Sequence, residues 1–183
     1  MANFENTLGI KNNLDEELSQ AQVLANILIA ANGKTTLRAS SSPLRTPEDG
    51  ARFHAIRRAA KAIVVGGSTY RNEPYKNSSI PILVSSKSLK PKKTPTLLIA
   101  DLAPGALVQK ALEKYSNPIL IEGGPAFLTP LLEAKLIDLF FISRSPVLGD
   151  GNSFPHDLLE QNYTQTAIEH VGLTTFETWK PRT

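Results

Sequence analysis

The sequence predicts an α/β protein with a mainly parallel central sheet flanked by helices and an antiparallel C-terminal portion. Short, nearly continuous apolar segments recur along the chain, as is typical of strands buried on both faces. Segments with helix-start signals separate several of these strands, which favours parallel β-α-β connections. The C-terminal part is rich in β-forming residues and shows no such alternation, so we expect antiparallel pairing there.

The first half of the chain gives a strand, a helix and two further strands. The apolar run Gln22–Ala31 predicts a buried strand, and Asn32-Gly33 ends it as a turn. Thr46 starts a helix as an N-cap, because a proline and two acids follow it, and the helix extends to about Ala60. The segments Ala62–Val65 and Ile80–Ser85 are the next predicted strands.

The second half continues the alternation and then changes character. The prolines at both ends of Pro91–Pro95 predict a break. The elements predicted after it are a strand at Thr96–Ala100, a helix at Gly105–Tyr115, a strand at Pro118–Ile121, a helix ending near Ala134, a strand at Leu139–Ile142 and a β-rich tail at Thr164–Trp179.

Length and composition predict one domain over residues 21–183, preceded by a polar arm at 1–20. No apolar run approaches the roughly 20 residues that a membrane span needs, and the N-terminus has no signal-peptide pattern. Cysteine is absent, which excludes disulfides and fits a cytoplasmic protein. The net charge of +3 is too small to argue for nucleic acid. We therefore expect no membrane or nucleic-acid partner.

Two segments in which a strand runs into paired glycines are the strongest functional signal. Ile119–Thr129 reads as a strand, then Glu-Gly-Gly-Pro, then an amphipathic helix, and Ala62–Thr69 also runs from a strand into Gly-Gly. Glycines let a backbone approach a ligand closely, and a helix N-terminus attracts a phosphate. The pattern predicts one nucleotide lying across neighbouring strand ends. Two ordinary strand–turn–helix corners are the alternative.

Other catalytic motifs are incomplete. Gly33-Lys34-Thr35 resembles the end of a P-loop, but Leu28 stands where the earlier glycine is required. Gly66–Tyr70 resembles a nucleophile elbow, but Tyr70 replaces its closing glycine. The three histidines are scattered, so no metal site is predicted.

Four segments together resemble the reductase domain of riboflavin biosynthesis, which has a dihydrofolate-reductase-like fold. They are Asn26–Lys34, Ser41–Asp49 leading into His54–Ala59, Ile63–Tyr75, and Ile121–Pro125 with the later Leu136–Asp138 and Ser145–Gly149. The third resembles the family's Val-Gly-x-x-Thr-x-Arg-x-Glu turn. The resemblance implies that 21–183 is a single reductase domain that transfers a hydride from NADPH to a ribosylamino-pyrimidine 5′-phosphate, giving the ribitylamino form.

The resemblance also implies roles for individual residues. On the substrate side it points to Ser41, Arg57 and Glu122, with Arg71 adding charge near the substrate phosphate, and Glu122 comes nearest to a catalytic acid. The residues implied for the cofactor are Thr69, Glu73, Ser85, Gly123, Gly124, Pro125, Ala126 and Phe127.

Asn32 departs from the family, which usually carries aspartate there. Two alternatives therefore stay open: a reductase of the same fold acting on another substrate such as a pterin, and a non-catalytic NADP-binding protein. The resemblance also implies a homodimer, and we expect the apolar strand Leu139–Ile142 to lie close to a sheet edge, where a partner could pair.

Overall fold

The computed structural model describes residues 18, 20–75 and 78–183 of the chain, so most of the predicted arm at 1–20 lies outside the described residues. The described strands form one sheet in the order β4-β5-β3-β2-β6-β1-β7-β9-β8. The six strands from β5 to β7 are parallel, and β4, β9 and β8 pair antiparallel. The strands are β1 (Val23–Ile29), β2 (Ala62–Gly66), β3 (Ile82–Ser85), β4 (Lys92–Lys93), β5 (Leu97–Ala100), β6 (Ile119–Ile121), β7 (Leu139–Arg144), β8 (Tyr163–Val171) and β9 (Thr174–Pro181).

Helices cover both faces of this sheet. The first helix begins as its sequence predicts, because the Thr46 side chain accepts a hydrogen bond from the Asp49 backbone and Pro47 occupies the first turn. None of the helices in the described part of the chain is long and apolar enough to cross a bilayer. The helices are α1 (Pro47–Ala59), α2 (Gly67–Asn72), α3 (Pro104–Lys114), α4 (Pro125–Glu133) and α5 (His156–Asn162), and a 3₁₀ turn spans Ser42–Leu44.

Two apolar cores hold the layers together. Alternate residues of each strand point to opposite faces of the sheet. On one face, Ile56 of α1 packs with Leu24, Ile63 and Phe141. On the other face, side chains of α3, α4 and α5 pack over the remaining strand residues, Phe140 among them. The predicted parallel sheet, its flanking helices and its antiparallel C-terminal portion are thus confirmed.

Several elements differ from the sequence prediction. The predicted break at Pro91–Pro95 contains the two-residue strand β4, which pairs with β5 at the sheet edge. The short helices α2 and α5 were not predicted, and the β-rich tail consists of two strands joined through Gly172, whose positive φ of 58° suits glycine. These elements are short, so few residues carry their local signals.

The expectation that Leu139–Ile142 lies near a sheet edge is wrong. This segment is part of β7, which pairs with β1 on one side and with β9 on the other. Its residues are buried, and on this side of the sheet β8 is the edge strand instead. A homodimer stays a prediction that rests on the family resemblance alone.

Candidate functional site

A cleft of about 480 Å³ lies along the carboxyl ends of the central parallel strands. Strands β2 and β6 are neighbours in the sheet, with Val64 paired to Ile121, so the glycine corners that follow them meet there. Gly66 and Gly67 from one corner and Gly123 and Gly124 from the other all line the cleft. The predicted convergence of the two corners is confirmed.

The glycines have two different functions in this arrangement. A Cβ atom on Gly66 would lie 3.3 Å from the Phe127 ring, and one on Gly123 would lie 2.7 Å from it, so both allow the corners to pack around that side chain. A Cβ on Gly124 would meet nothing within 4 Å. Gly124 is the N-cap of α4 and has no side-chain cap, so its open side faces the cleft beside the helix N-terminus.

An ion pair closes the cleft between α1 and the end of β6. Arg57 Nε and Nη2 donate to Glu122 Oε1 and Oε2, each at 2.6 Å, and the Tyr75 hydroxyl donates to Oε2 at 2.7 Å. The Arg57 guanidinium carbon lies 4.4 Å from the Phe53 ring centroid and 5.1 Å from that of Tyr75. Glu122 is only 5% exposed. The arrangement fixes the carboxylate with three hydrogen bonds and holds the Arg57 guanidinium against two aromatic rings.

The pKa values of Arg57 and Tyr75 shift in directions that preserve their hydrogen bonds to Glu122. Burial alone would lower the pKa of Arg57, but its hydrogen bonds to Glu122 and the charge of that carboxylate outweigh this effect and raise the pKa above its ordinary value. Burial, followed by the charge of Glu122, raises the pKa of the Tyr75 hydroxyl well above its usual range. Tyr75 therefore stays protonated and continues to donate.

The other predicted residues, with one exception, also line the cleft. Glu73 Oε1 accepts from the Ser41 backbone N–H at 2.9 Å and from the Ser41 hydroxyl at 3.0 Å. These bonds fasten the serine loop, residues 39–45, to the end of α2. Ser85 donates to the Leu102 carbonyl at 2.6 Å. The predicted residues that line the cleft are Ser41, Arg57, Thr69, Glu73, Ser85, Glu122, Gly123, Gly124, Pro125, Ala126 and Phe127.

Arg71 is the exception. It does not line the cleft, and its Nη1 instead donates to the Ser88 hydroxyl at 3.1 Å on the protein surface. Two residues along a helix turn a side chain through roughly 200°, so α2 cannot direct both Thr69 and Arg71 into the same cleft. Arg71 thus lies outside the cleft in which the substrate is expected, so nothing in its position supports the expected contact with the substrate phosphate.

Sequence reasoning missed several polar residues of the cleft. Asp49, Asn26 and Arg45 line it, and Asp49 is 3% exposed. Burial raises the pKa of the Asp49 carboxyl, and the neighbouring Ser143 and Arg45 counteract part of this rise. In the sequence, Asp49 stands in the first turn of a helix, where carboxylates are common, and nothing local shows that it is buried. Only the folded structure, in which Asp49 is buried and lines the cleft, reveals it as a residue of the site.

Asn32, the residue that departs from the family, makes a reciprocal pair of hydrogen bonds with Gly149. Its Nδ2 donates to the Gly149 carbonyl at 2.9 Å, and its Oδ1 accepts from the Gly149 N–H at 3.0 Å. A carboxylate could accept but could not donate. The Asn32 side chain therefore joins the turn after β1 to the segment after β7, which gives a structural reason for asparagine at this position.

We expect Asn32→Asp to lower the free energy of unfolding by roughly 1 kcal/mol, because the donor to Gly149 is lost and a charge faces its carbonyl. Urea unfolding at neutral pH measures the change. Gln109→Glu, which adds the same charge on an exposed face of α3, is the control and should have a smaller effect. Equal stability of Asn32→Asp and the unsubstituted protein would show that the paired hydrogen bonds contribute little.

The described residues contain no group of three or more His, Asp or Glu side chains arranged to hold a metal ion. The polar groups of the cleft include the Arg57–Glu122 ion pair, two further carboxyls, hydroxyls, three asparagine amides and backbone at a helix N-terminus. Such groups suit an organic, phosphorylated ligand.

The family model of the RibD C-terminal domain matches residues 21–178. The chain belongs to this family. The match contains both glycine corners, the Arg57–Glu122 pair and every residue so far placed in the cleft. No curated protein sequence matches the chain.

Solved structures share the fold of this RibD C-terminal domain. A diaminohydroxyphosphoribosylaminopyrimidine deaminase/5-amino-6-(5-phosphoribosylamino)uracil reductase from Thermotoga maritima has a TM-score of 0.69 at 15% identity, and the match covers 88% of this chain and 56% of that protein. A pyrimidine reductase-like protein from Corynebacterium diphtheriae has a TM-score of 0.69 at 17% identity, over 92% and 94%. A dihydrofolate reductase from Enterococcus faecalis, complexed with NADP(H) and RAB-propyl, has a TM-score of 0.67 at 17% identity, over 88% and 97%. These likenesses confirm a dihydrofolate-reductase-like fold.

The cleft fits a dinucleotide in two respects. The open side of Gly124 leaves room for a pyrophosphate against the α4 N-terminus, where unpaired N–H groups favour an anion. The cleft also continues along the strand ends past Gly67 and Thr69 to Ser85, which gives an extended ligand a continuous path.

Proposed function

We propose that this chain is a reductase of riboflavin biosynthesis that uses NADPH to reduce a ribosylamino-pyrimidine 5′-phosphate to its ribitylamino form. The observation that carries the proposal is the convergence of two strand–glycine corners in one cleft, in a chain of the RibD C-terminal domain family. Family membership supports an oxidoreductase. The fold shared with an NADP(H)-complexed dihydrofolate reductase supports a nicotinamide cofactor.

The cofactor would be held at the glycine corners. Gly124, Pro125 and Ala126 would receive its pyrophosphate at the α4 N-terminus, while Gly123 provides the room that the Phe127 ring occupies beneath them. Thr69 and Ser85 would line the path toward the adenosine end. Glu73 would act indirectly, because its carboxylate is engaged by Ser41 and the serine loop.

The substrate would occupy the part of the cleft between α1 and the serine loop. Ser41 lines this part, as do Arg57 and Glu122. Arg57 is already paired with Glu122 through both of its hydrogen bonds, so it would orient the carboxylate rather than serve as an independent phosphate contact. Arg45 also lines this part, and its Nε lies 3.5 Å from Asp49 Oδ2, so this cation too stands beside a carboxylate.

The chemistry needs orientation and the exclusion of water more than a strong acid. When bound, the reduced nicotinamide supplies the hydride that adds to C1′ of the ring-opened ribose imine, and the imine nitrogen takes up one proton. Glu122 accepts three hydrogen bonds, so it fits a fixed negative charge beside the substrate better than a proton donor. The proton would come from solvent at the open side of the cleft.

Absorbance-monitored oxidation of NADPH tests the proposal, with the aminated and the deaminated ribosylamino-pyrimidine phosphates each offered as substrate. We expect oxidation that requires one of these substrates and a product that carries the ribityl chain, identified by mass spectrometry. A protein heated past its unfolding transition serves as the blank. NADPH binding without turnover of either compound would favour the non-catalytic alternative, and oxidation only with a dihydropterin would favour the pterin alternative.

A further inference from the structure

A buried polar layer between α1 and strands β1 and β7 contains all the unsatisfied side-chain atoms found among the described residues. These buried nitrogen and oxygen atoms without a hydrogen-bond partner are Asn26 Oδ1, Arg45 Nε, Arg52 Nε and Ser143 Oγ. Asn26 and Ser143 lie on the same face of the sheet, because β1 and β7 pair Asn26 with Phe141 and Leu28 with Ser143. Buried polar atoms are nearly always satisfied, and two of these four residues, Asn26 and Arg45, line the cleft, where a polar ligand could supply a partner.

Asp49 lies at the centre of this layer. Its Oδ2 is 3.5 Å from Arg45 Nε, and Ser143 Oγ stands beside the carboxyl without a well-formed hydrogen bond. Asp49 and Asn26 both line the cleft. The layer therefore presents a carboxyl and an amide oxygen, both hydrogen-bond acceptors, to whatever enters this part of the cleft.

Glu122, another carboxylate of the cleft, has little remaining capacity. Its two oxygens already accept two hydrogen bonds from Arg57 and one from Tyr75. A ring that entered the cleft would find at most one further acceptor position on Glu122, at Oε1. Among the described residues, Asp49, whose Oδ2 has only the 3.5 Å contact with Arg45 Nε, and the unpartnered Oδ1 of Asn26 have more acceptor capacity left.

We propose that Asp49 and Asn26 recognise the heterocycle of the substrate and select a 2-aminopyrimidinone over a uracil. A 2-aminopyrimidinone presents an amino group beside a ring N–H, two donors that match a carboxylate side by side. A uracil keeps the ring N–H but presents a carbonyl oxygen in place of that amino group, which would face one oxygen of the Asp49 carboxyl and leave that acceptor without a partner. The inference rests on the proposed function and deepens it, because it means that reduction precedes removal of the 2-amino group.

Calorimetric titration with two matched probes tests this selectivity without turnover. The probes are 2,5,6-triaminopyrimidin-4-one and 5,6-diaminouracil, which differ only in the amino or oxo group at C2. We expect the triamino compound to bind at least tenfold more tightly, since one hydrogen bond to a charged group is worth about that factor. Equal affinities, or tighter binding of the uracil, would overturn the proposal whatever the outcome of the NADPH assay.

The variant Asp49→Asn tests whether the Asp49 carboxyl causes the preference for the triamino probe. The substitution keeps the size of the side chain, and we expect it to remove most of the preference for the triamino probe. Asp157→Asn, on an exposed position of α5, is the control and should retain the preference. Circular dichroism checks that Asp49→Asn is folded. A folded Asp49→Asn protein with unchanged preference would overturn the assignment, and if it does not fold, the comparison of the two probes on the unsubstituted protein still decides the proposal.

Substrate turnover separates the inference from the proposed function. Equal reduction of the aminated and deaminated phosphates would uphold a reductase and reject the selection at Asp49. A preference for the triamino probe without any reduction would uphold the ring site and reject the reductase.

Discussion

Gly124→Leu is expected to weaken NADPH binding by roughly 100-fold or more while the protein stays folded. The backbone at Gly124 has φ −75° and ψ 177°, which any residue can adopt, and a Cβ there meets no atom within 4 Å. A leucine side chain would therefore extend into the cleft and occupy the space assigned to the pyrophosphate. Fluorescence titration with NADPH measures the affinity, and thermal unfolding measures the stability.

Two variants make the interpretation specific. Glu113→Leu adds the same side chain on an exposed position of α3 and should leave NADPH binding unchanged. Gly123→Leu should instead destabilise the fold, because its Cβ would lie 2.7 Å from the Phe127 ring. A Gly124→Leu protein that binds NADPH as well as the unsubstituted one would refute the pyrophosphate assignment.

Glu122→Leu is expected to lower the free energy of unfolding by about 3 kcal/mol, the largest stability effect that we predict. The substitution leaves the Arg57 guanidinium in its mostly buried position without its charged partner, and it also removes the acceptor of the buried Tyr75 hydroxyl. Breaking one side of a buried ion pair costs roughly 3–5 kcal/mol, whereas replacing both sides by apolar groups is often neutral. Chemical denaturation measures the difference.

The double variant Arg57→Met/Glu122→Leu should therefore recover most of the lost stability, although it lacks both charges. Glu160→Leu is the matched control, because Glu160 is exposed and its contact with His156 spans 3.4 Å at the surface, where such pairs contribute little. If Glu122→Leu unfolds at the same denaturant concentration as the unsubstituted protein, the Arg57–Glu122 pair does not hold the cleft together.

The glycine corners could be predicted from sequence because their signal is local. An apolar strand, paired glycines and a helix start follow one another within about ten residues, and parallel strands bring such ends to the same edge of a sheet. The pairing of Arg57 with Glu122 was out of reach, since 65 positions separate the two residues. The family resemblance instead implies that Arg57 and Glu122 each contact the substrate.

Two further features could not be predicted from the sequence for the same reason, because they depend on contacts between distant parts of the chain. The buried position of Asp49 beside the cleft is hidden in the sequence, because the helix start gives this residue a sufficient local explanation, and its backbone N–H does bond to Thr46. Only the packing of α1 on β1 and β7 shows where its carboxyl lies. Likewise, the interior position of β7 depends on β9, which pairs with it from more than 30 residues farther along the chain. Long-range packing, not local propensity, decided both outcomes.

The strand order also constrains how the chain acquires its structure. β6 lies between β1 and β2, so the middle of the sheet needs Val23, Ala62 and Ile119 side by side. Until the ribosome has synthesised β6, β1 and β2 have no common neighbour in the sheet. Until it has synthesised β7, the polar layer beneath α1 lacks one of the two strands that it packs on. We therefore expect folding to wait for at least the first 144 residues, and to be slower than in proteins of similar size whose contacts are local.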